Sequence, residues 1–185
     1  KVLFYAYLNA IYATSFVNPI DLAIRNHRSF DVTGYQKLDE IPYDFTRKRL
    51  SMLVSSDGNA LLITKGALSS VLEICTQVEA SDGQVVDIAP LRQQIQDRFD
   101  KLGREGFRTL GVAYRKINPQ QIDRRDETMM TFLGCLLLFD PPKADIIEVI
   151  QDLEQAGIAL KMITGDSHAV ATSITQQLGL AQPKI

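Results

Sequence analysis

Four groups of residues carry side chains whose types and spacing suit chemistry on an anionic ligand. Asp140-Pro141-Pro142-Lys143 and Thr164-Gly165-Asp166 each follow an apolar run. Taken singly, both read as helix starts, since aspartate caps helices, proline fits the first turn and glycine permits tight turns. Taken together, they lie one secondary-structure unit apart at the ends of two expected strands. There a Thr164 hydroxyl and a Gly165 amide at a helix N-terminus suit a phosphoryl oxygen. The carboxylates of Asp140 and Asp166 suit a magnesium shell or ribose hydroxyls. Lys65-Gly66-Ala67 joins an expected strand to a helix: either Lys65 is solvated beside a turn glycine, or Gly66 leaves room for a ligand and Lys65 offers phosphate a point charge. Phe45, followed by Arg47, Lys48 and Arg49, is either a core side chain beside a solvated basic run or an exposed ring for a purine with cations nearby. Arg108, after Gly106-Phe107, adds a further possible contact.

The elements that must position these residues change character along the chain. Phe4, Tyr7, Leu8, Ile11 and Tyr12 have helical spacing. Asn18-Pro19 has the form of an N-cap followed by proline, opening a helix through Ile24. Strands are expected at Lys37 to Tyr43, Leu50 to Ser55 and Ala60 to Thr64, the last two joined by a turn at Asp57-Gly58 or Gly58-Asn59. A helix then carries Leu68, Val71, Leu72 and Cys75. Ser81-Asp82-Gly83 turns a small hairpin, Leu91 to Leu102 forms an amphipathic helix, and Phe107 to Tyr114 is a strand. Hairpin connections favour an antiparallel sheet flanked by helices. From Met130 the order reads βαβα, with buried strands at Phe132 to Phe139 and Ile158 to Ile163, and with helices through Ile146 to Leu153 and Val170 to Leu178. That order implies a parallel arrangement with its ligand edge at the strands' carboxyl ends. The fold class is therefore α/β, or more finely α+β, with a boundary at residue 139.

Bulk properties narrow the partners. The 185 residues hold 20 basic and 22 acidic side chains and a formal net charge of −2. This balance gives no reason to expect nucleic acid, and any anion site must be local. Cys75 and Cys135, far apart and in apolar stretches, read as free thiols of a reducing compartment. His27 and His168 have no companion at metal-ligand spacing. The longest apolar run, Phe132 to Phe139, is far shorter than the roughly 20 residues of a spanning helix. The opening Lys1-Val2-Leu3-Phe4-Tyr5 lacks the layout of a signal peptide, and the chain is expected to be a piece of a longer one.

Read in order, Phe45-x-Arg47-x-Arg49, Lys65-Gly66-Ala67, Gly106-Phe107-Arg108, Asp140-Pro141-Pro142 and Thr164-Gly165-Asp166 resemble the motif series of the P-type ATPases. The series covers nearly the whole chain. Leu8-Asn9, Asn18-Pro19-Ile20-Asp21, the run Asp39 to Phe45, Phe139 to Lys143, and Val170 in place of the threonine of other branches are similar to the bacterial magnesium-transporting members. The resemblance implies a nucleotide-binding domain over residues 1–139. It implies that residues 140–185 are part of a haloacid-dehalogenase-like phosphorylation domain.

Under it, Phe45 would stack on adenine, with Arg47, Lys65, Gly66, Arg108 and Asp140 also at the nucleotide. Thr164, Gly165 and Asp166 would support the phosphoryl site. ATP and Mg2+ are the implied cofactors, and the implied partners are the remaining phosphorylation, actuator and transmembrane domains of one polypeptide. The implied location is the cytoplasmic side of a bacterial plasma membrane. The family's Asp-Lys-Thr-Gly-Thr nucleophile motif and its Gly-Asp-Gly-x-Asn-Asp magnesium motif do not occur in these residues. The chain is therefore expected to bind ATP without hydrolysing it. Three alternatives are a P-type ATPase of another cation specificity, a non-catalytic interaction domain with a vestigial site, and a free-standing phosphatase. The last needs an Asp-x-Asp motif that the sequence lacks.

Overall fold

The computed structural model describes residues 1–14, 18–117, 121–140, 142–143, 145–164 and 168–180. Helix α1 (Val2–Tyr12) precedes α2 (Pro19–His27), whose start follows from its sequence: Pro19 occupies the first turn, and the Asn18 side chain accepts a hydrogen bond from the Asp21 amide at 2.8 Å. Strand β1 (Gln36–Asp44) then pairs with β2 (Arg49–Ser56), and β2 with β3 (Asn59–Ala67), both antiparallel. The β2–β3 turn is Asp57-Gly58, with φ of 49° and 77°, the doubly left-handed turn that matches strand twist. Next come α3 (Leu68–Glu73), β4 (Cys75–Glu79), β5 (Val85–Asp87), α4 (Arg92–Arg104), β6 (Arg108–Ile117), β7 (Met130–Leu138), α5 (Ile146–Gln155) and α6 (His168–Gln177).

Among the described residues, seven strands form one mixed sheet in the order β1-β2-β3-β6-β7-β4-β5, flanked by helices. The chain divides into two compact units, Lys1–Gln93 with Leu110–Leu136, and Gln94–Thr109 with Leu137–Ile185. In the first unit, the period of two along the strands sorts side chains onto opposite faces. Leu50, Met52 and Val54 of β2, Ile63 of β3 and Val112 of β6 are buried with Ala6, Tyr7, Leu8 and Ala10 of α1 and Ile24 of α2. Asn9, fully buried on α1, donates to the Leu50 and Ile63 carbonyls at 3.3 and 2.9 Å. The other face receives α3. A methyl group at Gly111 would lie 3.1 Å from Val71 and 3.2 Å from Leu68, so glycine there lets α3 approach.

In the second unit, Gly106 (φ 87°) lies against α6, where an added methyl would come within 3.1 Å of Ser173 Oγ. Phe107 and Phe139 pack with ring centroids 5.5 Å apart. Ile150 of α5 and Val170 of α6 are buried.

Four expectations are corrected. Residues 158–163 form no strand, and Ile158, Leu160, Met162 and Ile163 are exposed. A parallel strand has no hairpin to hold it and depends on neighbouring ladders; β7, its expected partner, already has β6 and β4 on its two edges. Accordingly β7 does not open a separate parallel sheet. It pairs in parallel with β4 through Cys75↔Met130 and Val78↔Phe132. Third, Asp140-Pro141-Pro142 does not start α5, which begins at Ile146 with Asp145 in the N-cap position. Fourth, Cys75 lies on β4, because α3 ends at Glu73.

Candidate functional site

The β1–β2 connection, residues 45–48, is a short turn closed in part by its own polar atoms. The Lys48 amide donates to the Asp44 carbonyl at 2.8 Å, and the Arg47 amide donates to the Asp44 carboxylate at 2.6 Å. That backbone donor, with the Arg47 guanidinium, holds the Asp44 carboxyl below its ordinary range. Phe45 sits on this turn with 87% of its surface exposed, touched by Tyr43 edge-on at 5.5 Å and 90°. The ring is thus an exposed aromatic on a fixed turn rather than a core side chain.

The basic run below the ring is not simply solvated. Arg47 donates through Nη1 to both carboxylate oxygens of Glu127 at 2.6 Å, and through Nη2 to the Pro42 carbonyl at 2.7 Å. Arg49 donates to Glu127 at 2.9 Å and to the Ser70 carbonyl at 3.1 Å. Ser51 Oγ also donates to Glu127, at 2.7 Å, and lies 2.7 Å from Thr64 Oγ1. The Glu127 side chain is wholly buried, and each of its oxygens has partners. Arg124, largely exposed, reaches Asp44 at 3.4 Å.

Lys65 and Gly66 lie beside this turn through the register Arg49↔Gly66 and Leu50↔Lys65. Lys65 is buried, 5% exposed, and donates to the Asp21 carboxylate of α2, itself 1% exposed. Burial lowers the Lys65 pKa from its usual value, and the Asp21 charge opposes that shift. The room above Gly66 is taken by the chain itself. A methyl there would fall 2.4 Å from the Lys48 carbonyl oxygen and 2.5 Å from Arg49 Cβ. This glycine therefore lets the β1–β2 turn close onto β3, where the Ala67 amide donates to the Lys48 carbonyl at 2.9 Å.

In the second unit, Arg108 and Asp140 form a long, exposed ion pair at 3.8 Å. Thr164 is exposed, and Gly165 and Asp166 lie outside the described residues. The first unit thus brings together Phe45, Arg47, Lys65 and Gly66, and the second brings together Arg108 and Asp140. Asp21 and Glu127, which pair with Lys65 and with Arg47 and Arg49, are not residues that their sequence surroundings single out for the site. Asp21 stood within Asn18-Pro19-Ile20-Asp21 as a branch signature only, and Glu127 ended a charged loop indistinguishable in sequence from solvated surface. A cleft lined by Ile147, Ile150 and Leu178 and another lined by Gly58, Asn59 and Lys116 include none of these residues. What the turn offers is an open aromatic surface beside arginines paired with Asp44 and Glu127.

The family model for "P-type ATPase, cytoplasmic domain N" matches residues 16–145. The chain belongs to the P-type ATPase family. It is 36% identical over 193 residues to a Salmonella typhimurium protein named "Magnesium-transporting ATPase, P-type 1", covering 97% of this chain and 21% of that protein. An Escherichia coli protein of the same name is 34% identical over 190 residues, with the same coverage. A Bacillus cereus "Calcium-transporting ATPase 1" is 30% identical over 149 residues, covering 80% of this chain and 17% of its own length. The chain spans about a fifth of the magnesium-transporting relatives. No helix among the described residues is long and apolar enough to cross a membrane.

Proposed function

We propose that this chain is the ATP-binding part of a cation pump, with magnesium as the transported ion, and that it works on the cytoplasmic side of a membrane. The observation that carries the reading is Phe45: a large aromatic, 87% exposed, held on a turn closed by Arg47 and Gly66. A purine stacks on that ring. Arg47 orders the turn, and Lys65, paired with Asp21, lines the inner wall of the base site. Arg108 offers a cation to phosphate, for which its exposed pair with Asp140 is easily exchanged, such pairs being worth about 0–1 kcal/mol. Residues 1–139 form the nucleotide-binding domain. Residues 140–185 belong to a dehalogenase-like phosphorylation domain in which Thr164, Gly165 and Asp166 support the phosphoryl group. The assignment of magnesium is supported by the 34–36% identity to magnesium-transporting relatives, against 30% to a calcium-transporting one.

Mg2+ accompanies ATP in such chemistry by neutralising phosphate charge. No group of three or more His, Cys, Asp or Glu among the described residues is arranged to hold it. Without the nucleophile motif, positioning alone lowers no barrier, and the chain binds ATP without turnover.

Calorimetric titration distinguishes a base-reading site from an anion site. ATP binds on the order of 5- to 150-fold more tightly than tripolyphosphate, because the stacked base contributes about 1–3 kcal/mol. Equal affinity for the two overturns the Phe45 reading. After incubation with labelled ATP and magnesium and an acid quench, the chain carries no label; a hydroxylamine-sensitive label contradicts the non-catalytic assignment.

A further inference from the structure

We infer that Glu127 is the positioning residue of the nucleotide site, the buried anchor that fixes the geometry in which the 45–48 turn presents Phe45. The inference deepens the nucleotide reading and rests on it. Glu127 reaches the turn through side-chain hydrogen bonds. It acts through Arg47, two residues beyond Phe45, and through Arg49, at the first position of β2. Arg47 also grips the Asp44 carboxylate and the Pro42 carbonyl, so one guanidinium spans the last residues of β1, the turn and Glu127. Arg49 extends the same carboxylate's hold to the Ser70 carbonyl on α3. The short helical turn at residues 124–126, immediately before Glu127, brings exposed Arg124 to Asp44.

Stability alone is a poor explanation for this arrangement. Desolvating one carboxylate and two guanidinium groups roughly offsets their mutual attraction, and an apolar cluster of the same volume would do as well. What the cluster adds is directional. The planar guanidinium of Arg47 gives Nη1 to the fully buried Glu127 carboxylate, Nε to Asp44 and Nη2 to the Pro42 carbonyl, and this three-way fork fixes the orientation of its own backbone. An aromatic platform on a two-strand turn needs such fixing, because a loose turn would sample many ring positions and each would weaken stacking.

The test uses the 185-residue chain, ATP as ligand, and amide spectra recorded with and without it. Glu127→Gln keeps the shape and one strong acceptor but removes the charge shared by the two arginines. ATP affinity falls on the order of 3- to 10-fold, and the nucleotide-free amides of residues 44–49 shift or broaden. Arg47→Lys keeps the charge and loses the fork; it gives the same loss and serves if Glu127→Gln does not fold. Val54→Ala truncates a fully buried side chain of the core beneath α1, lowers the melting temperature and leaves ATP affinity unchanged.

In a Phe45→Ala background, Glu127→Gln produces no further loss, because its effect travels through that ring. Losses that multiply in the double variant overturn the positioning role, as does wild-type affinity in the folded single variants. If the wild-type chain itself binds no ATP, the nucleotide reading fails. The anchor is then judged on the nucleotide-free spectrum, where unmoved amides at residues 44–49 in Glu127→Gln overturn it too.

Discussion

Phe45 and Ile163 are the most exposed large apolar side chains among the described residues, 87% and 97% open to solvent, yet their settings are opposite. The turn under Phe45 is closed by Asp44, Arg47, Glu127 and the carbonyl packed over Gly66. Ile163 ends a stretch, residues 158–163, with no strand pairing. Exposure of an apolar group is informative when the backbone beneath it is fixed, because only then does the open surface have a constant shape for a ligand to meet. The lesson extends to charge. Lys65 and Asp21 are buried together in the first unit, whereas Arg108 and Asp140 meet at 3.8 Å in solvent in the second.

The ion pairs give the largest expected difference. Asp21→Ala leaves Lys65 buried without its partner and destabilises the chain by about 3–5 kcal/mol, while Asp140→Ala changes stability by less than about 1 kcal/mol. Urea unfolding of both variants measures this, and adding Lys65→Met to Asp21→Ala should restore much of the loss. Comparable losses from Asp21→Ala and Asp140→Ala would erase the contrast between the pairs.

Next in size is the core. Met52→Ala opens a cavity in a fully buried position and costs about 2–5 kcal/mol. Ile163→Ala stays within about 0.5 kcal/mol, as for surface sites generally. A loss at Ile163 as large as that at Met52 would mean that residues 158–163 are packed.

A smaller effect belongs to alkaline pH. Burial pushes the Cys75 thiol up to about 12, against about 8.5 in an unfolded chain. The folded state therefore keeps a proton that the unfolded state releases. The resulting stability is complete below about pH 8.5 and is lost as pH rises toward 12. By pH 10 the wild type should lose on the order of 1–2 kcal/mol relative to Cys75→Ala. Melting curves of the two at pH 7 and pH 10 decide it, and parallel slopes would mean that the thiol ionises freely.

What was legible in the sequence is what neighbouring residues determine. Asn18-Pro19 starts a helix and Asp57-Gly58 turns a hairpin through chemistry contained in a few adjacent positions. The antiparallel meander β1-β2-β3 follows from such turns and from alternation along the strands. The missed features depend on register between distant segments. Lys65 meets Asp21 across 44 positions, and Arg47 meets Glu127 across 80. Neither contact can be read before the sheet order is known.

Residues 158–163 carry an apolar run that suits a buried strand as well as an exposed one, and only the availability of a ladder decides between them. Of the candidate site, the exposed ring of Phe45 was one of two readings that its sequence neighbourhood allowed. The roles of Gly66 and Arg47 in closing its turn were not visible, because both act on backbone that only the folded sheet brings near.

The central claim is that the fixed turn bearing Phe45 is a base-stacking site for ATP. An isotope-labelled chain titrated with ATP tests it most directly, with Phe45→Ala alongside. Exposed as it is, Phe45 can be truncated with a stability change within about 0.5 kcal/mol, so binding is read on a folded protein. The wild type should show saturable shifts at the amides of residues 44–49, 65 and 66, with a Kd of roughly 0.1 mM to a few mM. In Phe45→Ala those shifts should require several-fold more ATP. Amides that stay still up to about 10 mM ATP, or a Phe45→Ala variant that binds as the wild type does, would contradict the account.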